Sequence, residues 1–181
     1  MQIKDIIEHN RDFVKNGEYK KYSTSKYPNY KMAILSCMDT RLTQLLPAAL
    51  GIKNGDAVII KNAGGLISHP FGSVIRSLII AVYELGVEEI LVIGHTDCGV
   101  QNMDSQKLLD MMVERGVEKE QIEMINYCGV DIKSMLHGFD DVNQSVKETS
   151  EMLINHPLLP KNIKVYGFII NSVTGELTEL V

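Results

Sequence analysis

Cysteine is scarce in this sequence. Three residues among 181 are too few for a disulfide scaffold, so they are read as thiols first and then as candidate metal ligands or nucleophiles. Long apolar runs are missing as well. No stretch approaches the roughly 20 uninterrupted apolar residues of a membrane helix. The most apolar segment, residues 74–85, already contains Arg76 and Glu84. The first residues, Met-Gln-Ile-Lys-Asp-Ile-Ile-Glu-His, carry charges where a secretory signal has its apolar region, so a cytoplasmic location is expected. Basic residues do not predominate. Eighteen Lys and Arg against 23 Asp and Glu leave a formal charge of −5, which argues against a partner gripped through its phosphate backbone. Repeats and low-complexity tracts are absent, and no internal domain boundary is visible. One domain over residues 1–181 is expected, with residues 1–17 as an N-terminal helical arm.

What is present reads as an α/β chain. Residues 2–16 place Ile3, Ile6, Ile7, Phe13 and Val14 roughly on one helical face, and Gly17 ends the run. Residues 18–30 are polar and tyrosine-rich, an irregular connection. Short apolar strands are expected at 32–36, 57–60, 89–94 and 163–170. Helices are expected at 42–50, despite Pro47, and at 72–85. Residues 105–155 look helical, with breaks at Gly116, Gly129 and Gly138. A turn over 171–178 leads to a short final strand. Strands alternating with helices argue for crossover units and a parallel sheet. The strands are continuously apolar, as expected for a sheet covered on both faces.

The chemistry gathers at the strand ends. Cys37 follows the first strand, and His95 and Cys98 follow the third. In an open parallel sheet, ligands bind outside the carboxyl ends of the strands, so one crevice receives all three. Two thiolates and an imidazole form a soft donor set that suits zinc, and three protein ligands leave a fourth position open, as in catalytic sites. Taken alone, a cysteine after a strand is usually a small buried hydrophobe. Their joint placement beside an acid and a base is what raises them above that. Cys37-Met38-Asp39-Thr40-Arg41 sets Cys, Asp and Arg at alternate positions, so an extended stretch would point all three one way. Asp39 and Arg41 read either as a charge-assisted pair serving the site or as an ordinary surface ion pair. Asp97 is read as a turn former or as a partner of the site. Cys128 is a plain thiol, and His9, His69, His137 and His156 are solvent-facing or structural. The glycines near 64 and 94 do not complete a dinucleotide-binding fingerprint.

These residues together resemble the β-class carbonic anhydrases. The resemblance is carried by Cys37-x-Asp39-x-Arg41, the Asn62-Ala63-Gly64 turn, and Gly94-His95-Thr96-Asp97-Cys98-Gly99. It continues in His156-Pro157-Leu158-Leu159-Pro160 and Val173-Thr174-Gly175-Glu176-Leu177, so it spans nearly the whole chain from about residue 30. It implies a parallel sheet extended by an antiparallel strand and flanked by helices. It implies one zinc per chain on Cys37, His95 and Cys98, with Asp39 and Arg41 as the catalytic dyad. In a closed state Asp39 would itself become a zinc ligand. The implied reaction is reversible hydration of carbon dioxide to bicarbonate and a proton, a lyase activity. The implied working unit is a homodimer or a multiple of it, with the N-terminal helix embracing the partner. A small apolar substrate needs a small apolar pocket, for which Ala63, Gly64 and Gly65 would supply a close backbone approach and Ile67 a wall.

The sequence departs from the family at several points. Thr40 stands where many members have serine, Gln2 is the only glutamine upstream of the first motif, and there is no tryptophan for a regulatory bicarbonate pocket. Three rivals stay open: hydrolysis of carbon disulfide or carbonyl sulfide at the same zinc, a zinc-holding protein without turnover, and a redox thiol protein.

Overall fold

The computed structural model describes residues 2–181. Met1, the first residue of the expected arm, lies outside the described residues. The chain begins with helix α1 (Ile3–Lys15), where the Asp5 carboxylate accepts the Gln2 N–H at 2.7 Å and closes the first turn. A short 3-10 turn follows at Glu18–Tyr22 within the segment expected to be irregular. Then come β1 (Met32–Cys37), α2 (Leu42–Ala49), β2 (Ala57–Asn62), α3 (Ser73–Leu85) and β3 (Glu89–His95). The polar stretch after β3 resolves into α4 (Ser105–Glu114), α5 (Lys119–Tyr127), α6 (Ile132–Leu136) and α7 (Val142–Ile154). The chain ends with β4 (Lys164–Ile170) and β5 (Leu177–Glu179). No helix among the described residues is long and apolar enough to cross a membrane.

The five strands form one sheet in the order β2-β1-β3-β4-β5. The first four are parallel, and β5 joins β4 antiparallel. The expected sheet and its antiparallel extension are therefore present. Alternation along β1 and β3 divides the core. Ala33, Leu35, Ile90 and Val92 pack with Ile75 and Leu78 of α3 and Val146 and Leu153 of α7. Ile34, Leu91 and Ile93 pack with Leu42 and Leu46 of α2. Period-two alternation makes both faces of the inner strands apolar, which explains their unbroken hydrophobic runs. The edge strand β2 differs: Ile59 is 42% exposed, so the expectation of a fully covered sheet does not extend to it.

This topology fixes where a site can form. The chain leaves β1 toward β2 on one side and returns to β3 on the other. The carboxyl ends of β1 and β3 therefore flank the switch point, where open parallel sheets bind ligands. Pairing also runs one residue further than expected. Cys37 is the last rung of β1, opposite Asn62, and His95 is the last rung of β3, opposite Ile170.

A glycine holds this end together. Gly65 is buried at φ +65°, and a Cβ there would meet the Cys37 nitrogen at 2.8 Å and the Ser36 carbonyl carbon at 2.9 Å. Backbone atoms of a central strand cannot yield. Gly65→Ala should therefore destabilise the protein by about 2 kcal/mol or more, read as a fall of several degrees in Tm. Gly51→Ala is the control: its φ is +67°, but nothing lies within 4 Å, so only the backbone penalty remains. Equal losses in the two variants would show that close approach to β1 is not what Gly65 provides.

Candidate active site

The site is built from two strand ends and the turns that follow them. The ligand atoms of Cys37, His95 and Cys98 all lie within 4.8 Å of one another, and all three residues are buried. The two sulfurs are 3.8 Å apart, and both cysteines are free thiols. Cys128 is exposed and takes no part.

The imidazole of His95 is already oriented. Its Nδ1 stands 2.9 Å from the carbonyl oxygen of Thr96. A carbonyl can only accept, so Nδ1 carries the proton, and in the neutral ring Nε2 is left with a bare lone pair. That Nε2 is fully buried and makes no hydrogen bond. Thr96 is itself fastened: its Oγ1 accepts the N–H of Ser172 at 3.0 Å.

The thiols are equally prepared. Burial pushes the Cys37 thiol up, but the His95 ring, when its second nitrogen is protonated and donates, and the N–H groups of Asp39 and Gly64 outweigh burial and hold it below its usual range. Burial pushes the Cys98 thiol up; the N–H of Val100 opposes this, and charge on Cys37 drives it further up. A buried pair of this kind ionises fully only beside a cation. An orphaned imidazole nitrogen and two sulfurs with N–H donors form a soft set that fits zinc.

Asp39 and Arg41 do not lie on an extended stretch. The chain turns at Thr40, and Arg41 is already in the helical region at the start of α2, with φ −60° and ψ −32°. The reason is the carboxylate itself. Asp39 Oδ1 accepts the backbone N–H of Arg41 at 2.9 Å, a turn that aspartate favours. The two side chains still meet. Arg41 Nε donates to Oδ1 at 3.0 Å and Nη2 donates to Oδ2 at 2.8 Å. These hydrogen bonds from the guanidinium hold the Asp39 carboxyl at about 2, well below its ordinary value. Asp39 Oδ2 lies 4.0 Å from His95 Nε2. In this arrangement the carboxylate is engaged by Arg41 at the edge of the ligand cluster.

The cluster opens into a cleft of about 910 Å³. Ala63 lines it; Gly64 and Gly65 lie buried, and neither lines the cleft. The apolar wall comes from Leu66, not from Ile67, which belongs to the core beneath α3. The far wall comes from Met135, Leu136 and His137 of the α6 region, which the sequence did not bring to the site. No local signal announces them. They are delivered by pairing over a long sequence distance, in which Gln101 bridges Phe139 and the Asn102 N–H donates to the Phe139 carbonyl at 2.8 Å. His156 is structural, as read: one ring nitrogen stands 2.8 Å from the Pro70 carbonyl oxygen.

Comparison with known proteins agrees with this geometry. The family model described as carbonic anhydrase matches residues 32–177. A Bacillus subtilis protein named "Putative carbonic anhydrase YtiB" is 49% identical over 179 residues, which cover 99% of this chain and 96% of that protein. A carbon disulfide hydrolase of Acidithiobacillus thiooxidans is 31% identical over 157 residues, 82% of this chain and 76% of the relative. The crystal structure of β-carbonic anhydrase isoform I from Trichomonas vaginalis matches with a TM-score of 0.89 at 33% identity, covering 100% of this chain and 98% of that one. With its strand-end cysteines and histidine, its mixed five-stranded sheet and a family match over most of its length, the chain belongs to the β-carbonic anhydrase family.

Proposed function

We propose that this cleft hydrates carbon dioxide reversibly to bicarbonate and a proton, a lyase reaction, with zinc held by Cys37, His95 and Cys98. The observation that carries the reading is the buried, unpartnered His95 Nε2 beside two thiols, with the Arg41-held Asp39 4.0 Å away. When bound, zinc would supply hydroxide near neutral pH by acidifying water, an effect established in carbonic anhydrases that hold the metal through three histidines.

The protein's own groups supply the rest. Asp39 is ionised across the working pH range and acts as an acceptor. It takes a hydrogen bond from the attacking oxygen and aims that atom's lone pair at the carbon. Arg41 keeps Asp39 from swinging into the ligand cluster, where it would become a further ligand and close the site. Ala63 and Leu66 offer apolar surface to a small apolar substrate. The same nucleophile could attack carbon disulfide or carbonyl sulfide, and the kinship with a carbon disulfide hydrolase makes those the substrates to test alongside. We place the protein in the cytoplasm and take residues 1–181 as one functional unit.

We further propose a homodimer or a multiple of it. Helix α1 buries none of its residues within the chain, and Ile3 is 73% exposed. Its apolar side meets the following 3-10 turn, where Phe13 and Tyr22 form a ring pair at 6.1 Å. A second copy of the chain is the occupant proposed for that side.

Three outcomes are expected. Protein purified without added metal should contain one zinc per chain, and Cys98→Ser should lose most of it; full occupancy in that variant would show that the ligand assignment is wrong. Asp39→Asn should keep its zinc and lose roughly 10²-fold or more in hydration rate, the size of a general-base contribution. A rate equal to the parent at equal zinc would remove Asp39 from the mechanism. In sedimentation the chain should run as a dimer or larger, and deletion of residues 2–16 should weaken association; a stable monomer at micromolar concentration would count against the dimer.

A further inference from the structure

Arg41 reaches past Asp39. Its guanidinium crosses to the turn that runs from His95, at the end of β3, to Cys98, where it meets Asp97 twice. Nη1 donates to Asp97 Oδ2 at 2.8 Å, and Nη2 donates to the Asp97 main-chain oxygen at 2.7 Å. With the two side-chain bonds to Asp39, four of the five guanidinium N–H groups are engaged.

Asp97 occupies an unusual backbone position, with φ +55°. Aspartate and asparagine are among the few side chains that tolerate the left-handed region. Here one residue offers its carbonyl and its carboxylate to the same guanidinium. Stability alone is a poor reason for the contact. The Asp97 side chain is 85% exposed, and exposed ion pairs contribute little to folding.

Positioning is the better reason. Asp39 and Arg41 are two residues apart on one turn, so their mutual bonds leave the pair free to move as a unit relative to His95 and Cys98. The bonds to Asp97 tie that unit to the second loop. We propose that Asp97 is a positioning residue, which clamps Arg41 from the His95–Cys98 loop and so fixes Asp39 beside the ligand cluster. The proposal rests on the reading of the Asp39–Arg41 pair given above.

The test compares Asp97→Gly, which removes the carboxylate and accepts the same backbone conformation, with Asp97→Asn, which keeps an acceptor and tolerates φ > 0. Both are loaded with cobalt(II) in place of zinc, and the visible absorption of the ion is recorded beside the hydration rate. Arg41→Ala provides the reference spectrum for a released Asp39. Asp97→Gly should shift the spectrum toward that reference and lose about tenfold in kcat/KM, the worth of a charge-assisted hydrogen bond. Asp97→Asn should keep the parent spectrum and most of the rate. A parent-like spectrum and rate in Asp97→Gly would overturn the proposal. So would equal losses of rate in both variants with the parent spectrum, since charge and not position would then be what Asp97 contributes. If Arg41→Ala itself leaves the spectrum unchanged, the Asp39–Arg41 reading fails together with the clamp. A parent that gives the expected spectra but no hydration would instead overturn the proposed substrate and leave the clamp standing.

Discussion

Two buried sulfurs 3.8 Å apart cannot both carry charge unless a cation stands beside them. Much of the surrounding structure serves that constraint. The parallel pairing of β1 with β3 ends at Ser36 opposite Ile93, and so brings Cys37 and His95 out together just beyond it. Gly65 presses its backbone against β1 at the point where Cys37 leaves it. N–H groups of Asp39, Gly64 and Val100 point at the sulfurs and favour their charged forms. The Thr96 carbonyl takes the proton-bearing nitrogen of His95 and leaves the other nitrogen facing the thiols. The N–H groups and the Thr96 carbonyl give nothing to a merely hydrophobic pair of cysteines, and both favour a thiolate–imidazole set around an ion.

In the proposed mechanism the carboxylate beside this set has two uses, acceptor or further ligand, and Arg41 selects between them. Unrestrained, Asp39 would be drawn to the same positive charge as the thiolates. Paired with a planar guanidinium through both oxygens, it keeps its charge and its place. The geometry here is the engaged one. The relatives include a carbon disulfide hydrolase, which is why both substrates enter the test of the proposed function.

The inner set was legible in the sequence because strand ends are local features. An apolar run followed by Cys37, or by Gly94-His95, announces both the strand and the group at its end. The parallel sheet was legible from the same runs, since strands covered on both faces leave no polar alternation. The shape of the Asp39 turn was not. Alternate spacing suggested an extended stretch, but the Asp39 carboxylate captures the Arg41 N–H and bends the chain into α2. The cleft's far wall was illegible for another reason. Met135, Leu136 and His137 reach it through contacts between residues 100–102 and 138–139, across two helices of polar sequence. The second face of Asp97 was hidden in the same way, because nothing in a turn's sequence states which side chain from another loop will meet it.

The most direct test is stopped-flow hydration of carbon dioxide by the purified protein at measured zinc content, run beside hydrolysis of carbon disulfide. The account predicts turnover of carbon dioxide that scales with zinc and disappears when the metal is removed by a chelator. A fully zinc-loaded protein that leaves carbon dioxide untouched at every pH would contradict it.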